Sequence, residues 1–297
     1  MNHRYKGIIF IIISAFCFAL MNVFVRASGD LPFIQKSFFR NFVAAIFAAA
    51  VLMKNRAWFS GKKGNLKILF WRSVFGAVGI MCNFYAVDHL LLADASMLNK
   101  MSPFFAIIFS CFILKEHIRP WQAVAVIAAF IGSLLVIKPT VFGMSIFPSF
   151  IGLLGGLGAG AAYTLVRLLG ERGEKGPFIV FFFSAFTCLL AVPYLILDYH
   201  QMTLMQFGSL MMAGLAAAGG QFSITAAYCY APAKEISIYD YSQIIFSAVL
   251  GFLLFGQIPD GFSWAGYMVI IGAAVGMFLY NRRENRRPGT QTRTNAQ

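Results

Sequence analysis

The 297-residue sequence is poor in charged residues, and poorest in acidic ones. Only 12% of its residues are charged, and 11 Asp and Glu stand against 24 Lys and Arg. Hydrophobic residues make up 59% of the chain, which is more apolar surface than a soluble domain of this length can bury. The composition therefore excludes a soluble globular protein and predicts a chain whose solvent is lipid.

Cysteines are few, and the short motifs of nucleotide, metal and hydrolytic chemistry are missing. The five cysteines are scattered without paired spacing, which argues against a disulfide framework or a metal site. The sequence has no G-x-S-x-G, H-E-x-x-H, Walker or dinucleotide-binding motif. We therefore expect no catalytic residue, no metal ion, no cofactor and no nucleotide-driven step in this chain.

What the sequence does contain is a series of long apolar segments. A helix needs roughly 20 apolar residues to cross a bilayer core, and about ten segments of the chain meet this requirement. The predicted helices span residues 7–27, 33–53, 67–87, 95–114, 120–138, 149–169, 177–197, 207–229, 235–256 and 262–281. The predicted fold class is an all-α integral membrane protein with ten transmembrane helices.

Basic residues concentrate in alternate connections between these helices. If the N-terminus is cytoplasmic, the inner side holds most Lys and Arg, including Arg72 near the start of the third helix. The outer connections carry Asp30, Asp88, Asp94, Asp198 and Asp260. This asymmetry predicts a multi-pass protein of the cytoplasmic membrane with both termini inside. It also explains the net charge of +13, which argues against nucleic acid as a partner.

The sequence repeats itself at a fixed offset. Sliding the chain along itself lays residues 83–136 over 223–276 without a gap and places Ser102 on Ser242. Each copy contains five predicted helices, an odd number, so the second copy enters the membrane upside down relative to the first. We predict two inverted five-helix repeats with a shared site at their interface. The repeats span residues 1–138 and 149–281, followed by a disordered basic cytoplasmic tail, 282–297.

Several stretches of the first repeat resemble a known family. Residues 83–87, 93–96, 102–104 and 114–116, followed by a glycine-bearing fifth helix, resemble the EamA-type repeat of the drug/metabolite transporter superfamily. The resemblance covers nearly all of the chain. It implies ten helices, cytoplasmic termini, a central cavity lined mainly by helices 1, 3, 4, 6, 8 and 9, and gating by helices 2 and 7.

The second repeat departs from this pattern at two positions. Gln243 stands at the position of Pro103, and Gly256 stands at the position of Glu116. Within a helix, Pro103 removes one backbone hydrogen bond and bends the axis. We therefore consider Pro103 either a structural kink or a hinge in the fourth helix.

Polar groups at membrane depth are the candidate site residues, because each is costly there unless it faces a cavity or a partner. The candidates for substrate binding are Asn22, Asn83, Tyr85, Asn99, Lys100, Tyr163, Gln221, Tyr239, Asp240 and Gln243. The candidates for gating or hinge motion are Arg40, Pro103 and Arg167. The deep cations Lys36, Arg40, Lys100 and Arg167 face one deep acid, so we predict a cavity of positive potential.

Lys100 and Asp240 are repeat mates of opposite charge. Counting about 1.5 Å per residue from the predicted helix ends places each roughly 9 Å from opposite membrane surfaces, about 12 Å apart along the membrane normal. We therefore predict no direct salt bridge. Asp240 is expected to pair with Arg167 or Tyr163, and Lys100 to engage Asn22, Asp94 or substrate. The alternative is that these ions form structural pairs or extend to the headgroups.

Glycines recur at four-residue spacing on two predicted helices. Gly152, Gly156 and Gly160 form such a stripe on the sixth helix, and Gly272 and Gly276 form one on the tenth. Small residues at this spacing allow helix backbones to touch in a membrane. We predict close helix contacts at both stripes.

Together these features favour a secondary transporter that moves an amino acid or a similar zwitterionic or anionic metabolite by alternating access. Its expected partners are the bilayer and a small-molecule substrate, and the oligomeric state is left open. One rival is a lipid-modifying enzyme, because His89 and Asp94 have the H-x4-D spacing of glycerolipid acyltransferases, although Asp94 also suits an N-cap of the fourth helix. The other rival is a membrane interaction subunit that does not transport.

Overall fold

The computed structural model describes residues 3–54, 64–113, 120–137, 146–230 and 239–284. These residues form α1 (His3–Ala27), α2 (Phe33–Lys54), α3 (Leu66–His89), α4 (Leu92–Asn99), α5 (Ser102–Ile113), α6 (Pro120–Ile137), α7 (Ile146–Glu171), α8 (Gly176–Leu197), α9 (Leu204–Tyr230), α10 (Ser242–Phe255) and α11 (Gly261–Glu284). No strand occurs in these ranges. The all-α fold class is confirmed.

Eight helical segments of the described chain are long and apolar enough to cross a membrane, with α4 and α5 counted together as Leu92–Ile113. Shorter apolar helices occur at Ala123–Gly132 and Ser242–Phe255. Large apolar side chains such as Phe112 and Leu253 point outward, as expected where the solvent is lipid. Apart from the fourth and ninth predicted helices, the described helices begin and end within a few residues of the predicted ones, because the thickness of the bilayer dictates their length.

The ends of two predicted segments differ from the described helices. α11 continues to Glu284, so the first residues assigned to the tail are helical, and residues 285–297 lie outside the described part of the chain. Residues 231–238, which include the first four residues of the ninth predicted helix (235–256), also lie outside it. Tyr239 and Asp240 are helical, Tyr241 forms a turn, and α10 follows directly.

The two halves pack against each other in a pattern that maps onto itself. α1 packs on α9 and α3 packs on α7, while α2 packs on α8 and α6 packs on α11. The counterparts in the two halves are α1 and α7, α2 and α8, α3 and α9, and α6 and α11. Exchanging counterparts turns the α1–α9 contact into the α3–α7 contact. It leaves the α2–α8 and α6–α11 contacts unchanged. The contacts of α5 with α7 and of α10 with α1 are related in the same way. This is the contact pattern of two copies related by a twofold axis.

α7 approaches the fourth span closely because its glycines carry no side chain. A Cβ added to Gly156 would lie 2.5 Å from the carbonyl oxygen of Leu98, and one on Gly160 would lie 2.7 Å from that of Ser102. The predicted close contact at this stripe is confirmed. At the second stripe the prediction is wrong for Gly272, whose added Cβ would meet no described atom within 4 Å.

The fourth span is broken in its middle. α4 ends at Asn99, and α5 begins at Ser102 with Pro103 in its first turn. Pro103 has no N–H to donate to the carbonyl of Asn99, so a continuous helix would lose a hydrogen bond here in any case. Pro103 therefore follows a break and does not bend a continuous helix, and its interpretation as a hinge stays a prediction.

The second half is broken at the same place. α10 begins at Ser242, the repeat mate of Ser102, although Gln243 stands where the first half has Pro103. A proline is therefore not required for this interruption. Both breaks expose backbone and side-chain polar groups, which membrane proteins tolerate only where these groups face protein or a cavity.

Candidate functional site

A cavity lies between the two halves, next to the broken helices. Its empty volume is about 580 Å³ with its mouth and the open space in front of it included. The polar residues in its wall are Arg40, Arg72, Asn83, Asn99, Lys100, Tyr163, Gln221 and Gln243. Seven of these eight were predicted from the sequence as binding or gating residues, and they come from both repeats.

The walls of the cavity come from more helices than the family resemblance implied. Its apolar lining includes Phe18 and Met21 of α1 and Ala159 of α7, which belong to helices expected there. Arg40 of α2 and Phe183 of α8 also line it. The two helices that the resemblance assigns to gating therefore contact the cavity directly.

Lys100 and Asp240 form a buried ion pair. Lys100 Nζ lies 2.7 Å from Asp240 Oδ2, and the two side chains are 3% and 0% exposed. The prediction of no direct salt bridge is wrong, and so is the expected pairing of Asp240 with Arg167 or Tyr163. The depth count along the helix axis assumed two continuous helices that start at positions 95 and 235. The chain instead breaks immediately after each residue, so the two breaks meet.

A hydrogen bond between the breaks supports the ion pair. The Tyr241 hydroxyl donates a hydrogen bond of 3.1 Å to the carbonyl oxygen of Lys100. Oδ1 of Asp240 accepts no hydrogen bond from the described residues. The carboxylate therefore keeps free acceptor capacity beside the cavity.

Asp94 lies within α4 and not in an outer connection. It is the third residue of the helix, whose N-cap is Leu91, so the predicted N-cap role is wrong. The Tyr267 hydroxyl donates a hydrogen bond of 2.6 Å to Asp94 Oδ1. Asp94 therefore links α4 to α11.

Replacing Tyr267 by Phe tests this link. The change removes a hydrogen bond to a buried carboxylate, so we expect the free energy of unfolding to fall by about 1–3 kcal/mol, measured by thermal or chemical unfolding in detergent. Tyr194→Phe is the matched control, because the Tyr194 hydroxyl makes a similar 2.8 Å bond to Asp198 at an exposed helix end. We expect a smaller loss there, and equal losses would contradict the burial argument.

Lys36 is neutralised by Asp88, a residue that was predicted to lie in an outer connection. Lys36 Nζ donates to Asp88 Oδ1 at 2.6 Å, and the two side chains are 0% and 21% exposed. Asp88 belongs to the last turn of α3. The prediction that Lys36 adds an uncompensated charge to the cavity is therefore wrong.

Arg40 and Arg72 are fully buried and lie over the same aromatic ring. Their guanidinium carbons are 5.9 Å and 3.8 Å from the centroid of Phe183. Arg40 donates to the Asn41 side-chain oxygen at 2.6 Å. No carboxylate of the described residues lies within ion-pair distance of either guanidinium. These two arginines are therefore the source of the positive charge in the cavity.

Sequence reasoning missed Arg72 because it counted this residue with the inner-side cations. The third predicted helix began at residue 67, which put Arg72 near the membrane surface. The structure buries Arg72 at 2% exposure in the cavity wall. Its position one turn inside an apolar span was the available signal, because arginine at that depth needs a partner or a cavity.

The remaining candidates do not line the cavity. Asn22 lies beside it and accepts a 3.3 Å hydrogen bond from Asn83. Tyr85 stacks on His89 with ring centroids 4.2 Å apart, and Tyr239 packs edge-on against Phe278. Arg167 is partly exposed and pairs with Glu171 four residues along α7, at 3.1 Å. Tyr85, Tyr239 and Arg167 are therefore not brought to the site in this conformation.

The two groups of the H-x4-D pattern face different partners. His89 is exposed, and its Nδ1 lies 2.8 Å from the carbonyl of Tyr85, whereas Asp94 is buried against Tyr267. They do not form an acid/base pair. Within the described ranges, no group of three or more His, Cys, Asp or Glu residues is placed to hold a metal ion.

Apolar helices around a polar cavity between two related halves define a multi-pass membrane transport protein. The chain belongs to the EamA-like transporter family, whose model matches residues 5–138 and 147–279, and thereby to the drug/metabolite transporter superfamily. Members of this family are transporters and not enzymes, so the acyltransferase interpretation of His89 and Asp94 is excluded.

Known proteins similar to this chain are transporters. It is 31% identical to the pseudopaline exporter CntI of Pseudomonas aeruginosa, covering 92% of this chain and 95% of that protein. It is 27% identical to human solute carrier family 35 member G1, covering 91% of this chain and 78% of that protein. A crystal structure at 14% identity superposes with a TM-score of 0.71, covering 94% and 99% of the two chains, which shows a shared fold.

Proposed function

We propose that the protein is a secondary transporter that moves a small zwitterionic or anionic metabolite, such as an amino acid, across the cytoplasmic membrane by alternating access. The observation that carries this proposal is the cavity between the halves. Both halves supply polar side chains to it, and Arg40 and Arg72 give it a positive charge that no described carboxylate neutralises. A low-dielectric cavity of this sign concentrates anions.

The proposed topology has ten crossings, with both termini in the cytoplasm. Residues 1–138 and 149–281 form the inverted repeats, and the short helices α6 and α10 complete the fifth and ninth crossings. Support comes from the contact pattern, in which helix pairs of one half recur with the halves exchanged. Two copies of opposite orientation make a site that is equivalent from either side of the membrane.

In the proposed cycle, the halves move against each other around the cavity. The breaks at Met101 and Tyr241 are where helix halves can shift without straining a continuous hydrogen-bond ladder. The Lys100–Asp240 pair and the Tyr241–Lys100 hydrogen bond join these breaks. We expect them to hold the halves in register while the access routes open in turn.

The names of the relatives agree with a small-molecule cargo. One relative is an exporter of pseudopaline and another is a solute carrier. Neither name specifies the cargo of this chain, which the charge of its own cavity must indicate. An interaction subunit without transport would have no need for a cavity lined by eight polar groups of both halves.

Counterflow in proteoliposomes tests the proposal. Purified protein is reconstituted with an unlabelled metabolite inside, and uptake of the same labelled metabolite is followed for a panel of amino acids and organic acids. We expect transient accumulation above equilibrium for at least one of them, since a carrier exchanges its cargo across the membrane. A folded, inserted protein that exchanges no member of the panel would contradict transport of this class. Protein-free liposomes serve as the control.

A further inference from the structure

The charge balance around the cavity is uneven. Lys100 is paired with Asp240 and Lys36 with Asp88, so these four residues contribute no net charge. Arg40 and Arg72 add two positive charges that no described carboxylate compensates. A buried, unpaired cation is unfavourable, so two of them in one wall indicate a ligand that supplies the missing negative charge.

The two guanidinium groups keep donors free for such a ligand. Nε of Arg40 and both Nε and Nη1 of Arg72 are buried without an acceptor among the described residues. Among the described residues, the Phe183 ring stabilises both guanidinium charges by cation–π contact. Arg40 also donates a hydrogen bond to the side-chain oxygen of Asn41. The planar donor fork of arginine matches the two oxygens of a carboxylate or a phosphate.

The two arginines are close enough to share one small ligand. Their guanidinium carbons lie 5.9 Å and 3.8 Å from the same Phe183 centroid, so they are no farther apart than the sum of these two distances. Gly76 keeps this region open. A Cβ there would lie 2.7 Å from the Phe183 ring and 3.2 Å from Arg72 Nη1. All four residues line the same cavity.

We propose that Arg40 and Arg72 form a subsite for the acidic end of a cargo that carries two negative charges, either as a dicarboxylate or as a phosphate group. The inference rests on the proposed transport function and narrows its substrate class. A monoanion neutralises one of the two arginines and leaves the other uncompensated, whereas a dianion neutralises both. The subsite therefore selects against monoanions.

Thermal unfolding of the purified full-length protein in detergent tests the subsite. The dianionic probes are inorganic phosphate and a series of dicarboxylates from malonate to adipate, and the monoanionic probe is butyrate. A ligand that binds the folded state raises the unfolding temperature by mass action. We expect phosphate or one dicarboxylate to bind at least tenfold more tightly than butyrate. Whichever class binds more tightly, phosphate or dicarboxylate, identifies the acidic group of the cargo.

Variants assign the effect to the two arginines. Arg40→Gln and Arg72→Gln are each expected to weaken binding of the preferred dianion at least tenfold. Arg283→Gln, which removes a cation at the exposed end of α11, is the matched control and should leave the affinity unchanged. If a glutamine variant fails to fold, Arg72→Lys replaces it in the test. This variant keeps the positive charge but removes the planar donor fork of the guanidinium. It is expected to weaken dianion binding by a smaller factor than Arg72→Gln.

Three results overturn the inference: no stabilisation by any dianion, equal affinity for butyrate and dianions, or a dianion affinity that neither arginine variant changes. Counterflow separates this outcome from failure of the transport proposal. A protein that exchanges only neutral or monoanionic metabolites transports, but lacks the subsite. A protein that binds dianions through Arg40 and Arg72 but exchanges neither the panel nor inorganic phosphate has the subsite and is not the proposed carrier.

Discussion

Replacing Asp240 by Asn is expected to abolish counterflow and to lower the free energy of unfolding by about 3–5 kcal/mol. The change leaves Lys100 as a buried cation without its partner, 2.7 Å away in the unchanged protein. Removing one member of a buried pair is costlier than removing both, because the remaining charge stays desolvated. Chemical unfolding in detergent and proteoliposome exchange measure the two effects, and the inserted fraction is compared with that of the unchanged protein.

Charge reversal distinguishes the pair from either residue alone. Lys100→Asp combined with Asp240→Lys rebuilds an ion pair across the two breaks, so we expect this double variant to regain most of the stability that the single variants lose. Asp30→Asn, at an exposed position before α2, is the matched control and should behave like the unchanged protein. Undiminished transport by Asp240→Asn would remove this residue from the mechanism.

A pair of apolar substitutions asks whether the ion pair acts in transport or only in folding. Lys100→Met with Asp240→Leu removes both charges at similar volume, and buried pairs replaced in this way often keep or gain stability. We expect a folded protein whose counterflow is strongly reduced, because the polar link between the two broken helices is gone. Full counterflow in this variant would make the pair a structural element.

The overall architecture could be predicted because it depends on local and repetitive features. Helix lengths follow from the thickness of the bilayer, and the repeat is visible as the fixed offset between positions 83–136 and 223–276. The same offset relates Ser102 and Ser242, which begin the helices after the two breaks. Asn83, Asn99 and Gln221 were predicted as site residues because an amide at membrane depth requires a partner or a cavity in any fold.

Charge pairing could not be predicted, because it depends on where helices are interrupted. A count along continuous helices separates Lys100 from Asp240, and the breaks after both residues bring them together. Arg72 was misplaced for a related reason, since the positive-inside rule treats a cation near a helix end as a surface residue. The packing of α3 places Arg72 in the cavity wall.

Tyrosines were the least reliable candidates. Tyr163 lines the cavity, whereas Tyr85 and Tyr239 pack against His89 and Phe278. A tyrosine has an apolar ring and a polar tip, so it is equally suited to packing, to an interface and to a binding site. An amide or a charged group has fewer alternatives in lipid, which is why more of the predicted amide and charged residues than tyrosines line the cavity.

A second large loss of stability is expected when Gly156 is replaced. Gly156→Ala is expected to lower the free energy of unfolding by about 1–3 kcal/mol, and Gly156→Leu to prevent folding. The added Cβ lies 2.5 Å from the Leu98 carbonyl oxygen, an atom of a helix backbone that cannot move without displacing α4. α4 leads directly into the break that carries Lys100, so the displacement also reaches the cavity. Thermal unfolding and the yield of folded protein measure the loss.

Gly272→Ala is the matched control, and its expected sign is opposite. Both glycines belong to stripes of small residues at four-residue spacing, but a Cβ on Gly272 meets no described atom within 4 Å. Alanine is more favourable than glycine in a helix by up to about 1 kcal/mol, so this variant should be as stable as the unchanged protein or slightly more stable. Equal losses at both positions would show that the spacing itself, and not the neighbouring backbone, determines the cost. Equal gains would show that α7 and α4 lie farther apart than the structure places them.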